Sequence, residues 1–162
     1  MDLVSGREMM LKFISHRGNL NGPNPSRENH PDYILEAINK GYNVEIDLRI
    51  FNGELMLGHD EPQYKVELLF LVQHMSKLWV HCKDYASLDF VSKYTVLNFF
   101  SHFTDEPYVL TSHGQFWAYP GQLPLGTDCI MVMPELHWKI PEIVKFNTYG
   151  VCSDYIADIK EL

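Results

Sequence analysis

The sequence predicts a single α/β domain spanning residues 1–162, in which short strands alternate with helices and run parallel. Three observations carry this. Apolar runs end in polar or glycine-containing loops, helix-spaced segments lie between them, and 162 residues with 46% hydrophobic content suit one cored domain. No repeat, linker or low-complexity segment interrupts the chain. A complete eight-unit βα barrel needs roughly 200 residues or more, so any barrel here has short or missing helices.

Leu11 to Ser15 is an apolar run ending in His16-Arg17-Gly18, read as strand one and its exit loop. Gly18 to Pro25 is rich in Asn, Gly and Pro and forms a loop. Asn29 is a good N-cap, Pro31 and Asp32 suit a first turn, and Ile34, Leu35, Ala37 and Ile38 keep helical spacing until Gly41. Val44 to Ile50 is strand two, with Val44, Ile46, Leu48 and Ile50 on one face and Glu45, Asp47 and Arg49 on the other. If helices cover the apolar face, the charged face points inward, where buried carboxylates need a cation or a partner. Asn52-Gly53 signals a two-residue hairpin that folds Leu55 to Gly58 back along strand two. A strict register would set His59 opposite Ile46, on the wrong face to join Glu45 and Asp47, so a bend is expected at Gly58.

Val66 to Met75 reads as a helix, and Leu78 to Cys82 as the third strand, with Trp79, His81 and Lys83 on one face. Asp84 caps a helix through about Tyr94, followed by strands at Val96–Phe100 and Tyr108–Thr111. The aromatic segment Phe116 to Tyr119 leaves no room for a normal helix before the strand Cys129–Met133. A short helix from Pro141 to Phe146, a final strand Gly150–Ser153 and a helical turn after Asp154 complete the series.

Twenty-one acidic against 13 basic residues give a formal charge of -8, and no basic run exceeds a pair, which argues against a nucleic-acid surface. An anionic substrate would need local attraction from a bound cation, Arg17 and Lys83. Cys82, Cys129 and Cys152 lack metal-site or disulfide spacing, which fits a reducing cytoplasm. The N-terminal MDLVSGREMMLKF has no unbroken apolar leader segment, and the longest apolar run, Leu68 to Val72, is too short to span a bilayer. Neither secretion nor stable membrane insertion is expected.

His16-Arg17-Gly18, Glu28-Asn29 before a helix, Glu45-x-Asp47 in a strand, a turn glycine and His59-Asp60 occur in this order over the first third of the chain. Together they resemble the glycerophosphodiester phosphodiesterase family, whose wider superfamily includes phosphatidylinositol-specific phospholipases C and spider-venom sphingomyelinases D. The terminal Val151-Cys152-Ser153-Asp154-Tyr155 is similar to the family's last-strand pattern. The resemblance implies a (β/α) TIM-type barrel, here compact, with about seven strands and helices lost in the second half, and its site at the C-terminal strand ends. It implies His16 and His59 as an acid/base pair, and Glu45 and Asp47 as ligands of a divalent ion, with a small glycerophosphodiester-like substrate. Carboxylates suit magnesium or calcium, and histidines can move protons on and off the attacking and leaving oxygens.

One departure stands out. The family's third acidic ligand sits two residues before a lysine, and here that segment reads His81-Cys82-Lys83. Histidine at that place admits zinc or manganese beside magnesium or calcium, or else His81 contacts the phosphate or is a buried, hydrogen-bonded histidine. Arg17 and Lys83 contact the phosphate or act as counter-ions of the carboxylates. Glu28 supports the site or charges a helix start, Asn29 supports it or caps that helix, and Asp60 accompanies His59. Phe116 to Tyr119, with Trp117 foremost, is the candidate specificity wall. His102, His113 and Glu135 also fall at strand ends, where loop polarity explains them equally well. Two alternatives to hydrolysis stay open: a phosphate-binding barrel without turnover, and a phospholipase-D-like lyase that forms a cyclic phosphate.

Overall fold

The computed structural model describes residues 11–162. The reading of the first ten residues as free of a leader-type run falls outside the described residues. Among the described residues ten strands form: β1 (Lys12–His16), β2 (Asn43–Phe51), β3 (Glu54–Leu57), β4 (Tyr64–Lys65), β5 (Leu78–Cys82), β6 (Asn98–Ser101), β7 (Tyr108–Leu110), β8 (Phe116–Ala118), β9 (Cys129–Val132) and β10 (Gly150–Ser153). Five helices accompany them: α1 (Pro31–Asn39), α2 (Leu68–Gln73), α3 (Tyr85–Val91), α4 (Ile140–Ile143) and α5 (Ile156–Lys160), besides a 3-10 turn at Pro134–Leu136.

The expected alternating (β/α) TIM-type barrel does not form. The ten strands make one mixed sheet curled into a half-barrel, and only 22% of the described residues are helical. Along the sheet β6, β5, β2, β1, β10, β9 and β8 pair parallel, while β2–β3, β3–β4 and β7–β8 are antiparallel. The rims at β6 and β7 meet through Ser112, whose N–H donates to Phe99 O at 2.8 Å and whose Oγ accepts from Phe99 N–H at 2.9 Å. The physical reason is length and local chemistry. A parallel crossover needs a dozen or more residues, and the stretches between β6, β7 and β8 are shorter, so they turn back as a hairpin. Strands β4 and β8 have no counterpart in the sequence reading, and the expected helix at 66–75 shrinks to Leu68–Gln73.

Two cores result. The outer one packs Val44, Ile46 and Leu48 of β2 and Val80 of β5 against Ile34 and Ala37 of α1, Leu71 of α2, Val91 of α3 and Ile156 and Ile159 of α5. The inner one lies inside the curl and comprises Ile14, Trp79, Phe100, Trp117, Ile130 and Cys152. Strand β2 therefore buries both faces, with Glu45 2% and Asp47 0% exposed.

The edge of β2 explains how the loops are placed. Its backbone groups alternate in direction: Val44 and Leu48 bond toward β5, through Lys77 O and Lys83 N–H, while Glu45 O accepts from Arg17 N–H on the β1 side. There β1 ends, and the next groups belong to Asp47. Its N–H donates to Asn29 Oδ1 at 2.9 Å, and its carbonyl accepts from Gly58 N–H at 3.0 Å. Asn29, at φ +64, thus fills the gap between β1 and the hairpin. It does not cap α1: His30 is the N-cap, its Nδ1 accepting from Asp32 N–H.

Candidate functional site

Strand register brings the polar residues together. His16 of β1 lies opposite Glu45, and Asp47 lies opposite His81 of β5, so three strands present His16, Glu45, Asp47 and His81 to one region inside the curl. This follows from period-two alternation: Glu45 and Asp47 share a face, and their in-register neighbours share it too. Phe100, opposite His81 on β6, stacks on the imidazole at 4.8 Å between ring centroids, and Trp117 stacks on Phe100 at 4.4 Å.

A cavity of about 340 Å³ opens there, bordered by His16, Arg17, Glu45, His59, His81 and Lys83, with an aromatic wall from His102, Phe103, Trp117 and Tyr119. Asp47 lies beneath it as the most enclosed charge. Its Oδ2 accepts from Asn29 Nδ2 at 2.8 Å and is ion-paired with Arg17 Nε at 2.9 Å. Its Oδ1 faces His81 Nδ1 at 3.2 Å and Lys83 Nζ at 3.8 Å. Burial alone would raise its pKa, but His81, Arg17 and Lys83 outweigh that and hold the carboxyl well below its ordinary range. Glu45 Oε1 is 3.5 Å from His81 Nδ1, and Glu45 Oε2 is 3.9 Å from His16 Nε2.

His16 is held from behind. Its Nδ1 is 2.8 Å from Asp154 Oδ1, which also accepts from Asn19 Nδ2 at 2.8 Å, and Asp154 N–H donates to Glu135 Oε1 at 3.1 Å. That bond fixes the imidazole with Nε2 toward Glu45. Burial opposes charge on His16, yet Asp154 and Glu45 prevail and raise its pKa. His81 follows the same pattern, raised against burial by Asp47 and Glu45. His59 goes the other way: burial first, then the charges of Arg17 and Lys83, lower its pKa despite Asp47 and Asp60.

His59 reaches the cavity through the bend at Gly58. With φ +151, Gly58 leaves the ladder, and a Cβ there would meet Glu61 O at 2.0 Å. Arg49 pins the bend, its Nε donating to Gly58 O at 3.1 Å and its Nη2 to His59 O. Asp60 Oδ1 lies 2.7 Å from His59 Nδ1, although the Asp60 side chain is 90% exposed.

Arg17, at φ +57, also bonds Glu28 Oε2 through Nη1 at 3.2 Å, and Glu28 Oε1 accepts from Asn19 Nδ2 at 2.9 Å. Glu28 and Asn29 thus brace Arg17 and Asp47 from the loop side. Sequence reasoning left Asn19 and Asp154 without a role. Asp154 had a faint signal in the last-strand pattern, whereas Asn19 had none beyond following His16-Arg17-Gly18. Of the strand-end residues left open, His102 lines the cavity and stacks on Tyr119 at 4.5 Å, Glu135 accepts from Asp154 N–H, and His113 lies away from the cavity at Thr95 O.

The donor set fits a cation. One ligand atom each from Glu45, Asp47 and His81 lies within 4.8 Å of the others; Glu45 Oε2 and His81 Nε2 are buried without hydrogen-bond partners, and Asp47 Oδ1 has only the 3.2 Å contact with His81 Nδ1 and the longer one with Lys83. Buried polar atoms left in this state call for a partner. Two carboxylates with one imidazole suit zinc or manganese and remain open to magnesium or calcium. No helix among the described residues is long and apolar enough to cross a membrane. Comparison of the chain with protein-family models, curated proteins and solved structures finds no match.

Proposed function

We propose that the chain is a metal-assisted phosphodiesterase acting on a small glycerophosphodiester-like substrate, in the manner of the family its motifs resemble. The observation that carries this is the meeting of His16, His59, Arg17, Lys83 and the Glu45–Asp47–His81 donors around one cavity. Glu45, Asp47 and His81 would hold a divalent ion, which when bound supplies positive charge against phosphoryl oxygens. Arg17 and Lys83 add fixed charge for the same group. His59, kept neutral by its lowered pKa, takes the proton of the attacking hydroxyl or water. His16, oriented by its Nδ1 contact with Asp154, donates to the leaving oxygen. The two imidazole pKa values are displaced in opposite directions, His59 down and His16 up, which supports this division of roles. Trp117 and Tyr119 wall the alcohol side of the site. A reducing cytoplasm is the proposed location, in keeping with three free, buried thiols.

The test is cleavage of glycerophosphodiesters by purified protein with magnesium, calcium, manganese or zinc, followed by phosphorus NMR. A monoester product marks hydrolysis, and a cyclic phosphate marks the lyase alternative. Removing either histidine should lower turnover by about 10²–10⁴-fold. No cleavage with any ion, or a His16→Ala variant that matches wild type, sinks the proposal.

A second reading is a phosphate-binding module without turnover, favoured by His81 itself. Its Nδ1 lies close enough to both carboxylates to balance them as an imidazolium without an ion. Diester binding by calorimetry without product at high protein concentration would select it.

A further inference from the structure

We propose that the cavity on the far side of Arg17 and His59 is a second alcohol subsite, shaped for a group rich in hydrogen-bond donors and closed to anions. The proposal rests on the phosphodiester reading above and specifies its substrate. The second cavity, about 350 Å³, is bordered by Pro25, Glu28, Asn29, Asp60, Glu61 and Gln63, and it shares Arg17 and His59 with the first. A phosphodiester carries two alcohol arms. With phosphate between Arg17 and His59, one arm enters each cavity.

The second cavity is built into the fold. One wall is the loop ending at Asn29, bonded to Asp47 N–H and Asp47 Oδ2 and closed on itself by Glu28 N–H to Asn24 O at 3.0 Å. The other is the bend Gly58–Gln63, held by Gly58 N–H to Asp47 O, Gln63 N–H to Leu57 O at 2.9 Å, and Arg49. Both walls hang on the two backbone groups of Asp47, whose side chain serves the first cavity. Their spacing is set before any ligand arrives, which limits the ordering entropy of binding.

The two cavities differ in chemistry. The first has an aromatic wall of Phe103, Trp117 and Tyr119, whereas the second is bordered by Glu28, Asp60, Glu61 and Gln63 beside the shared Arg17 and His59. Glu28 is shared with Arg17 and Asn19. Acceptors outnumber donors, so hydroxyl or ammonium groups find partners there, while a carboxylate or second phosphate meets like charge. The preferred diester is therefore asymmetric, with an apolar or aromatic arm opposite a hydroxylated or amine-bearing one.

The experiment compares p-nitrophenyl phosphodiesters whose second alcohol is methyl, 2-aminoethyl, 2,3-dihydroxypropyl or 2-carboxyethyl. Wild type should favour the aminoethyl or dihydroxypropyl ester over methyl by about tenfold in kcat/KM, chiefly through KM, with carboxyethyl lowest. Whichever leads distinguishes ammonium from hydroxyl recognition. Gln63→Trp, which fills the cavity from an exposed position, should bring these ratios to about one, and Glu61→Lys should raise carboxyethyl relative to aminoethyl. Thermal melting checks that both variants are folded. Equal rates across the esters, or a preference untouched by either variant, overturns the subsite. If no ester is cleaved the phosphodiesterase reading fails, and the same ratios are then read as Kd by calorimetry. Donor-selective binding lost in both variants upholds the subsite, and uniform or absent binding overturns it.

Discussion

Asn29→Ala should be among the most damaging single substitutions on the loop side of the site. Asn29 is 1% exposed, accepts from Asp47 N–H at 2.9 Å and donates to Asp47 Oδ2 at 2.8 Å. Alanine leaves a buried amide unpaired, at about 1–3 kcal/mol, and strips a charge-assisted bond worth about 1.5–3 kcal/mol. Position 29 also has φ +64, where a Cβ residue without a local hydrogen bond loses about 1 kcal/mol more. The sum is on the order of 4–6 kcal/mol, against a typical total stability of about 5–15 kcal/mol. At roughly 2–4 °C per kcal/mol for a domain of this size, Tm should fall by about 10–20 °C. Urea unfolding of wild type, Asn29→Ala and Asn29→Gly separates the contributions. Glycine loses the same bonds but accepts the backbone angle, so it should be milder by about 1 kcal/mol. A loss below about 1 kcal/mol in Asn29→Ala refutes the bridging role of this side chain.

Asp154→Asn should destabilise the fold most between the ordinary values of the two partners, 3.8 for the carboxyl and 6.5 for the imidazole. His16 is raised in the fold, so its contribution is full below 6.5 and is lost as pH rises through the raised value; Asp154 is lowered, so its contribution is full above 3.8 and is lost as pH falls through the lowered value. Denaturation midpoints measured from pH 3 to 9 should show the deficit peak in that window, and a deficit that grows above it would contradict the pairing. Gly58→Ala forces a methyl toward Glu61 O and displaces the bend that carries His59, so the proposed turnover should fall by at least about tenfold; full activity in a folded variant would show that the bend does not place His59. One manganese or zinc ion per chain should bind by calorimetry, and His81→Ala or Glu45→Gln should weaken it by about 10–100-fold; unchanged affinity would place the ion elsewhere.

The residue types of the site could be read directly from the chain. His16, Glu45, Asp47, His59 and Lys83 sit where motif order and strand alternation put them, because a strand's faces alternate regardless of its neighbours. The bend at Gly58 was legible for the same reason: the Asn52-Gly53 turn sets a register, and that register forces a departure if His59 is to reach Glu45. Of the two roles open to Asn29, support of the site and capping of the helix, the structure takes the first. The Asn29 side chain can satisfy a helix amide or a strand amide equally well, and only the gap where β1 ends decides between them.

Local spacing, then, determined which side chains share a face and where the chain must turn. Tertiary structure alone decided the curl and the company each side chain keeps. The alternating barrel failed because the stretches between β6, β7 and β8 are too short for helical crossovers, and β7 and β8 pair as a hairpin instead. The Asp154–His16 bond joins residues 138 positions apart, and the stack of His81, Phe100 and Trp117 spans strands whose neighbours are set by sheet closure. Such contacts depend on which strands become adjacent, and adjacency is a property of the folded sheet that no local pattern encodes.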